Sequence, residues 1–191
     1  MTSPATAPRT LDPVRGRSFV FVLGSPRGGG NTETLARYAA EGLPPHSTGS
    51  WLSLSELALP AEPSGPLPDG PEKVLLDATL DSTDLVIASP LHWYSVSAAT
   101  KLYLDYWARW LALPDLDFRA RMRGKNLWAV TAYARGEDAD TDPLTGMLSR
   151  TAGYLGMRWC GALLARAHRP GDLEADPAAL ARAAAFFAPE R

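Results

Sequence analysis

The chain has 191 residues, 46% apolar and 21% charged, with a formal net charge of -2. That balance fits one globular domain, excludes wholesale disorder and a fibrous repeat, and argues against a dedicated nucleic-acid binder. The one cysteine, Cys160, rules out an intrachain disulfide, a cysteine-rich zinc site and an iron–sulfur cluster, and no apolar run reaches the roughly 18 residues of a membrane span.

Residues 1–16 mix Pro, Thr, Ala and Arg without the apolar stretch of a secretory signal. We therefore expect a short flexible tail there, a cytoplasmic protein, and a single domain over residues 17–191. Residues 17–23 (RSFVFVL) are apolar, β-branched and aromatic, and stop at Gly24-Ser25-Pro26, so they read as a buried strand. A helix over 32–42 follows, ending on glycine. Residues 50–54 are a second strand, and 58–70, rich in Pro and Gly, are a loop. A helix over 71–80 is expected to turn Val74, Leu75 and Ala78 to one face.

Residues 84–89 (DLVIAS) are a third strand, closed by Pro90. From 97 to 113, Ala99, Leu102, Tyr103, Tyr106, Trp107 and Trp110 follow the i, i+3, i+4, i+7 spacing of an amphipathic helix. Its aromatic stripe reads as domain core. Residues 126–131 are a fourth strand. A helix over 143–154 has Asp142 as its cap. Residues 159–165 are a fifth strand, in which Cys160 reads as a small buried apolar residue. Asp176 caps a last helix with Pro177 at its first position, running to about Ala188.

Such alternation demands parallel strands with right-handed helical crossovers. Five strands suit a flavodoxin-like three-layer α/β sandwich with sheet order 2-1-3-4-5, whose ligands bind at the carboxyl ends of the strands where that order reverses. The loops after strands one, three and four meet there. The first, residues 24–34 (GSPRGGGNTET), joins a strand to a helix N-terminus, exposes backbone N–H groups and carries Arg27. It suits a phosphate; it is also readable as a glycine-rich turn with Asn31 or Thr32 as an ordinary cap. It lacks the Gly-Lys-Ser/Thr of a Walker A loop, and Glu33 stands where a dinucleotide fingerprint needs glycine, which leaves a monophosphate.

The second loop, residues 89–97 (SPLHWYSVS), places three ring-bearing side chains together. They are able to stack on a flat heterocycle or simply to pack on the following helix. The third, residues 131–138 (TAYARGED), is polar and correctly placed to close a site; taken without the other two it reads as a plain surface loop. His92 has no metal-ligand spacing to His46 or His168, and no metal site is expected.

Together these residues resemble the NAD(P)H-dependent FMN reductase group of the flavodoxin superfamily, which includes quinone reductases and iron–sulfur flavoproteins. The resemblance is carried by Gly24-Ser25-Pro26-Arg27 with Gly30-Asn31-Thr32, by Asp84 with the segment 89–97, by Lys101 and Asp105, and by Gly124-Lys125. It spans roughly residues 17–165. It implies an FMN-binding domain in which Ser25, Arg27, Asn31, Thr32 and Glu33 or Thr34 surround the FMN phosphate. Pro90, Leu91, His92, Trp93 and Tyr94 would line the isoalloxazine ring, with Thr131 and Tyr133 contributing from the third loop. The segment 58–70 has no cysteine, which excludes the iron–sulfur branch, and Asp105-Tyr106 stands where the family has Asp-Arg.

The implied activity takes hydride from NADPH or NADH through FMN to a quinone-like, nitro or azo, flavin or metal acceptor. His92 and Tyr94 are the candidates for proton donation to the acceptor. The expected partners are that small-molecule acceptor and a second copy, as homodimer or homotetramer, with neither nucleic acid nor membrane. The alternative is a non-catalytic flavin-binding carrier or regulator. A phosphate-acceptor signalling domain is discounted, because Gly24-Ser25 and Ser89-Pro90 occupy the places its acidic residues need.

Overall fold

A computed structural model describes residues 16–67 and 69–188. The expected tail lies outside the described residues, Gly16 excepted. Five parallel strands, β1 (Ser18–Leu23), β2 (Thr48–Ser53), β3 (Asp84–Ala88), β4 (Asn126–Tyr133) and β5 (Arg158–Arg166), form one sheet in the order β2-β1-β3-β4-β5. That is the flavodoxin-like order expected. Among the described residues six α-helices cover it: α1 (Asn31–Glu41), α2 (Pro71–Asp81), α3 (Ala98–Leu111), α4 (Phe118–Met122), α5 (Asp142–Leu155) and α6 (Pro177–Ala185).

β1 shows why the sheet is buried on both sides. Phe19, Phe21 and Leu23 enter a core built with Leu35, Ala36 and Ala39 of α1 and Ala179 and Ala183 of α6. Val20 and Val22 enter the opposite core with Leu75 and Leu76 of α2 and Tyr103, Tyr106, Trp107 and Trp110 of α3. Alternate side chains go to opposite faces, so a strand apolar at every position needs a helical layer on each. The aromatic stripe of α3 is therefore domain core.

Four expectations are corrected. Val74 is 51% exposed, and α2 instead buries Leu75, Leu76, Thr79 and Leu80. The reason is Glu72, which turns inward to accept from Arg109 Nε at 2.7 Å and Trp110 Nε1 at 3.0 Å, and so sets the rotation of the helix. Asp142 is the first residue of α5 rather than its cap; Thr141 holds that place without a side-chain capping bond, its Oγ1 donating instead to Asp138 O at 2.6 Å. α6 ends at Ala185, short of Ala188. Cys160 is half-exposed rather than buried, because β5 bulges there: Leu127 pairs with Trp159 and Ala129 with Ala162, so Cys160 and Gly161 oppose Trp128 alone. Gly161 takes φ +104 at this bulge.

The unforeseen helix α4 is one short turn that buries Phe118 and Met122. At the amino edge of the sheet, away from the loops of interest, Asp84 is fully buried. It accepts from Arg17, Thr83 Oγ1 at 2.7 Å, Asn126 Nδ2 at 2.7 Å and Trp128 Nε1 at 2.9 Å.

Candidate functional site

The sheet order reverses between β1 and β3, and the loops after β1, β3 and β4 are joined there by backbone and side-chain bonds. Gly24 N donates to Ala88 O at 2.8 Å and Ser89 N to Val130 O at 3.0 Å, so the strands stay paired one residue past their ends. Ser97, the cap of α3, donates to Gly24 O at 2.6 Å and accepts from Thr100 N at 3.2 Å. A Cβ on Gly24 would meet Thr100 Oγ1 at 1.8 Å, so only glycine lets the first loop lie this close to α3.

In the first loop Ser25 Oγ donates to Arg27 O at 2.8 Å and receives Arg27 N at 3.3 Å. Gly28, Gly29 and Arg27 are exposed, and a Cβ on Gly28 or Gly29 would meet nothing within 4 Å. The cap of α1 is Gly30, without a side-chain bond, so neither Asn31 nor Thr32 serves as an ordinary cap. The first-turn amides of α1 are thus left to an incoming anion. Asn31 and Thr34 are half-buried, Thr32 buried. Glu33 turns its carboxylate into the loop, onto Gly29 N–H at 2.8 Å, with Arg37 on its other oxygen. Burial opposes its ionisation, but the Gly29 and Arg37 bonds overcome this and hold it below the usual carboxylate range.

The second loop is a tight turn. His92 N donates to Ser95 O at 2.8 Å and Ser95 N to His92 O at 3.0 Å, with Trp93 at φ 50 and Tyr94 at φ 64 between them. Two left-handed residues inside a two-residue hairpin make a type I′ turn, which glycine and asparagine normally occupy. This geometry lifts both rings off the protein: Trp93 is 93% exposed and Tyr94 55%. Packing on the following helix is therefore not their role.

Leu91, Trp93 and Tyr94 form one wall of a cleft of about 340 Å³, and Tyr133, Ala134, Arg135, Gly136 and Asp140 the other. Tyr133 donates its phenol proton to Asp138. Burial and that carboxylate push its pKa up to about 12, so it stays neutral. Of the sequence candidates, Leu91, Trp93, Tyr94 and Tyr133 meet in the cleft. Pro90 is half-buried and His92 exposed, outside its lining. Thr131 is fully covered inside β4, its Oγ1 without a hydrogen-bond partner, and does not line the cleft either. The opposite wall was missed: Arg135 and Gly136 were readable only as loop, and nothing local marks Asp140 as folding back under Gly136, where a Cβ would meet Asp140 Oδ2 at 2.0 Å.

The donor set fits FMN. A glycine-opened loop and an uncapped helix N-terminus suit its phosphate, and an aromatic-walled cleft at the same sheet edge suits a flat ring. A putative NAD(P)H-dependent FMN-containing oxidoreductase of Bacillus subtilis (strain 168), YwqN, is 26% identical to the chain over 178 residues, 86% of this chain and 93% of its own. The solved Trp repressor binding protein from Bacillus subtilis superposes with a TM-score of 0.75 at 24% identity, over 91% of this chain and 99% of its own. An NAD(P)H:quinone oxidoreductase from Methanothermobacter marburgensis gives 0.69 at 16% identity, over 90% and 95%. These two likenesses carry the fold. Residues 18–161, most of the chain, match the NADPH-dependent FMN reductase family, and the chain belongs to that family of FMN-using, NAD(P)H-dependent oxidoreductases.

Proposed function

We propose that the chain passes electrons from NAD(P)H to a flat, quinone-like acceptor held against the ring between the Trp93-Tyr94 turn and the Tyr133–Gly136 segment. The observation that carries this is the cleft itself: it is open at the mouth and walled by Trp93, Tyr94 and Tyr133, with Arg135 and Asp140 its charged members. Aromatic walls favour planar, delocalised ligands over small ions.

Bound FMN would supply the two-electron redox chemistry, accepting hydride from the nicotinamide and reducing the acceptor in a second half-reaction. The chain's own part is to bind and orient. In this reading the amides of Gly28 and of residues 30–33, with Ser25, Arg27, Asn31, Thr32 and Thr34, receive the phosphate, while Gly29 N–H is held by Glu33. Leu91, Trp93 and Tyr94 support the ring. Tyr133, its proton committed to Asp138, keeps one wall fixed and neutral. Tyr94 stands at the cleft and is the better placed of the two proton-donor candidates; His92 lies outside the lining.

Among the described residues no helix is long and apolar enough to cross a membrane. A cytoplasmic homodimer or homotetramer belongs to the same reading, and light scattering on the purified chain tests the assembly. The test of function is a visible spectrum of the purified chain followed by NAD(P)H oxidation with quinone, nitro, azo, free-flavin and ferric acceptors. We expect a flavin spectrum and fastest turnover with the quinone. A yellow protein that oxidises NAD(P)H with none of them would establish the carrier or regulator instead.

A further inference from the structure

The loop after β1 is held from the inside by a carboxylate. Glu33, in the first turn of α1, reaches back so that Oε2 accepts Gly29 N–H at 2.8 Å. Its Oε1 receives Arg37 Nε at 3.0 Å and Nη2 at 2.6 Å. Arg37 lies over Trp51, 4.6 Å from the ring centroid. Trp51 stacks on buried Phe21 at 4.1 Å with 12° between the planes. One line of contacts therefore runs from Gly29 into the core of the sheet. Gly29 sits at φ +68 between two further glycines, exposed, where a Cβ would meet nothing within 4 Å.

We propose that Glu33 is the positioning residue of the phosphate site: it does not touch the phosphate, but by holding Gly29 N–H it fixes the loop so that the backbone donors of Gly28 and Gly30 on either side are set to receive it, while Arg37 cancels its charge. This rests on the reading of that loop as the phosphate site. Three consecutive glycines have many conformations to lose on binding, and a loop set beforehand loses fewer. A bare carboxylate beside a phosphate would repel it, but the guanidinium makes two bonds to one oxygen and leaves the pair near neutral. The Glu33 side chain is only 12% exposed, against 57% for Arg37, so the carboxylate faces the loop rather than water.

The experiment compares the full chain, stripped of flavin, with Glu33→Ala, Glu33→Asp and Glu33→Gln, titrated with FMN and with riboflavin by flavin fluorescence. Riboflavin lacks the phosphate, so the ratio of the two affinities isolates that end of the ligand. Aspartate keeps the charge and loses the reach; glutamine keeps an acceptor for Gly29 and loses the charge. Alanine and aspartate variants should each bind FMN about tenfold more weakly and riboflavin within about twofold of the parent, with glutamine within about threefold on both. Alanine and aspartate variants that hold FMN as tightly as the parent, or lose both ligands alike, overturn the proposal. So does a glutamine variant as weak as alanine, because charge and not the acceptor would then matter. A parent that binds riboflavin as tightly as FMN removes the phosphate reading and this inference with it. A parent that favours FMN, with all variants indifferent, removes only the role of Glu33.

Discussion

Ser97 donates its hydroxyl proton to the Gly24 carbonyl over 2.6 Å, joining residues 73 apart in the chain. One oxygen thereby caps α3 and clamps the loop that leaves β1. Ser97→Ala strips both bonds from buried partners and should cost about 1–3 kcal/mol. Thermal unfolding should show a drop of several degrees, with weaker FMN binding beside it. Gly24→Ala should do more harm, since its methyl would fall 1.8 Å from Thr100 Oγ1. An unchanged melting temperature in both variants would show that the clamp does not hold.

Trp93 sits at φ 50 with its ring 93% exposed, so the fold bears backbone strain there and buries almost nothing in return. Trp93→Asn should relieve that strain and stabilise the chain by about 1 kcal/mol, because asparagine tolerates the left-handed region. The same variant should raise KM for a quinone. Urea unfolding and steady-state kinetics together check the pair of effects. A loss of stability would mean that the indole is packed in solution.

Asp84 contributes to the acid limit of the fold. Burial alone would raise its pKa, but Arg17, Thr83, Trp128 and Asn126 hold the carboxyl below the usual range. A depressed pKa in the folded state means that the unfolded chain takes up the proton more readily. The stability Asp84 contributes is therefore complete above about pH 4 and is lost as pH falls below it. Asp84→Asn should flatten that acid limb of urea stability. Arg17→Met, which leaves the carboxylate buried without its cation, should cost about 3 kcal/mol at neutral pH.

Ser25 tests the phosphate end directly. Its hydroxyl turns into the first loop, bonded to Arg27 O and Arg27 N. Ser25→Asp would set a carboxylate against a phosphate dianion and should weaken FMN binding by about two orders of magnitude. Riboflavin affinity should change far less. A variant purified as yellow as the parent would remove this residue from the site.

Much of the fold was readable because its signals are local. An apolar stretch ending in Gly24-Ser25-Pro26 marks β1 and its loop, and an aromatic ladder marks α3. Where local periodicity misled, a distant partner was responsible. Glu72 turns inward only because Arg109 and Trp110 are there to donate to it, and that rotates α2 and leaves Val74 in water. Cys160 leaves the core because of a register shift opposite Trp128, which no spacing within β5 reveals. The type I′ turn at Trp93-Tyr94 breaks the residue preference of its own geometry, so turn chemistry could not announce it.

The order of elements and the three loops that matter follow from the sequence alone, because strand and helix patterns and glycine-rich turns are written in neighbouring residues. Which side chains face one another across those loops was decided by the tertiary structure. Tyr133 comes to the same cleft as Trp93, and Ser97 meets Gly24, only once parallel pairing fixes the register of β1, β3 and β4. A register shift of one residue would send alternate side chains to the opposite face of the sheet.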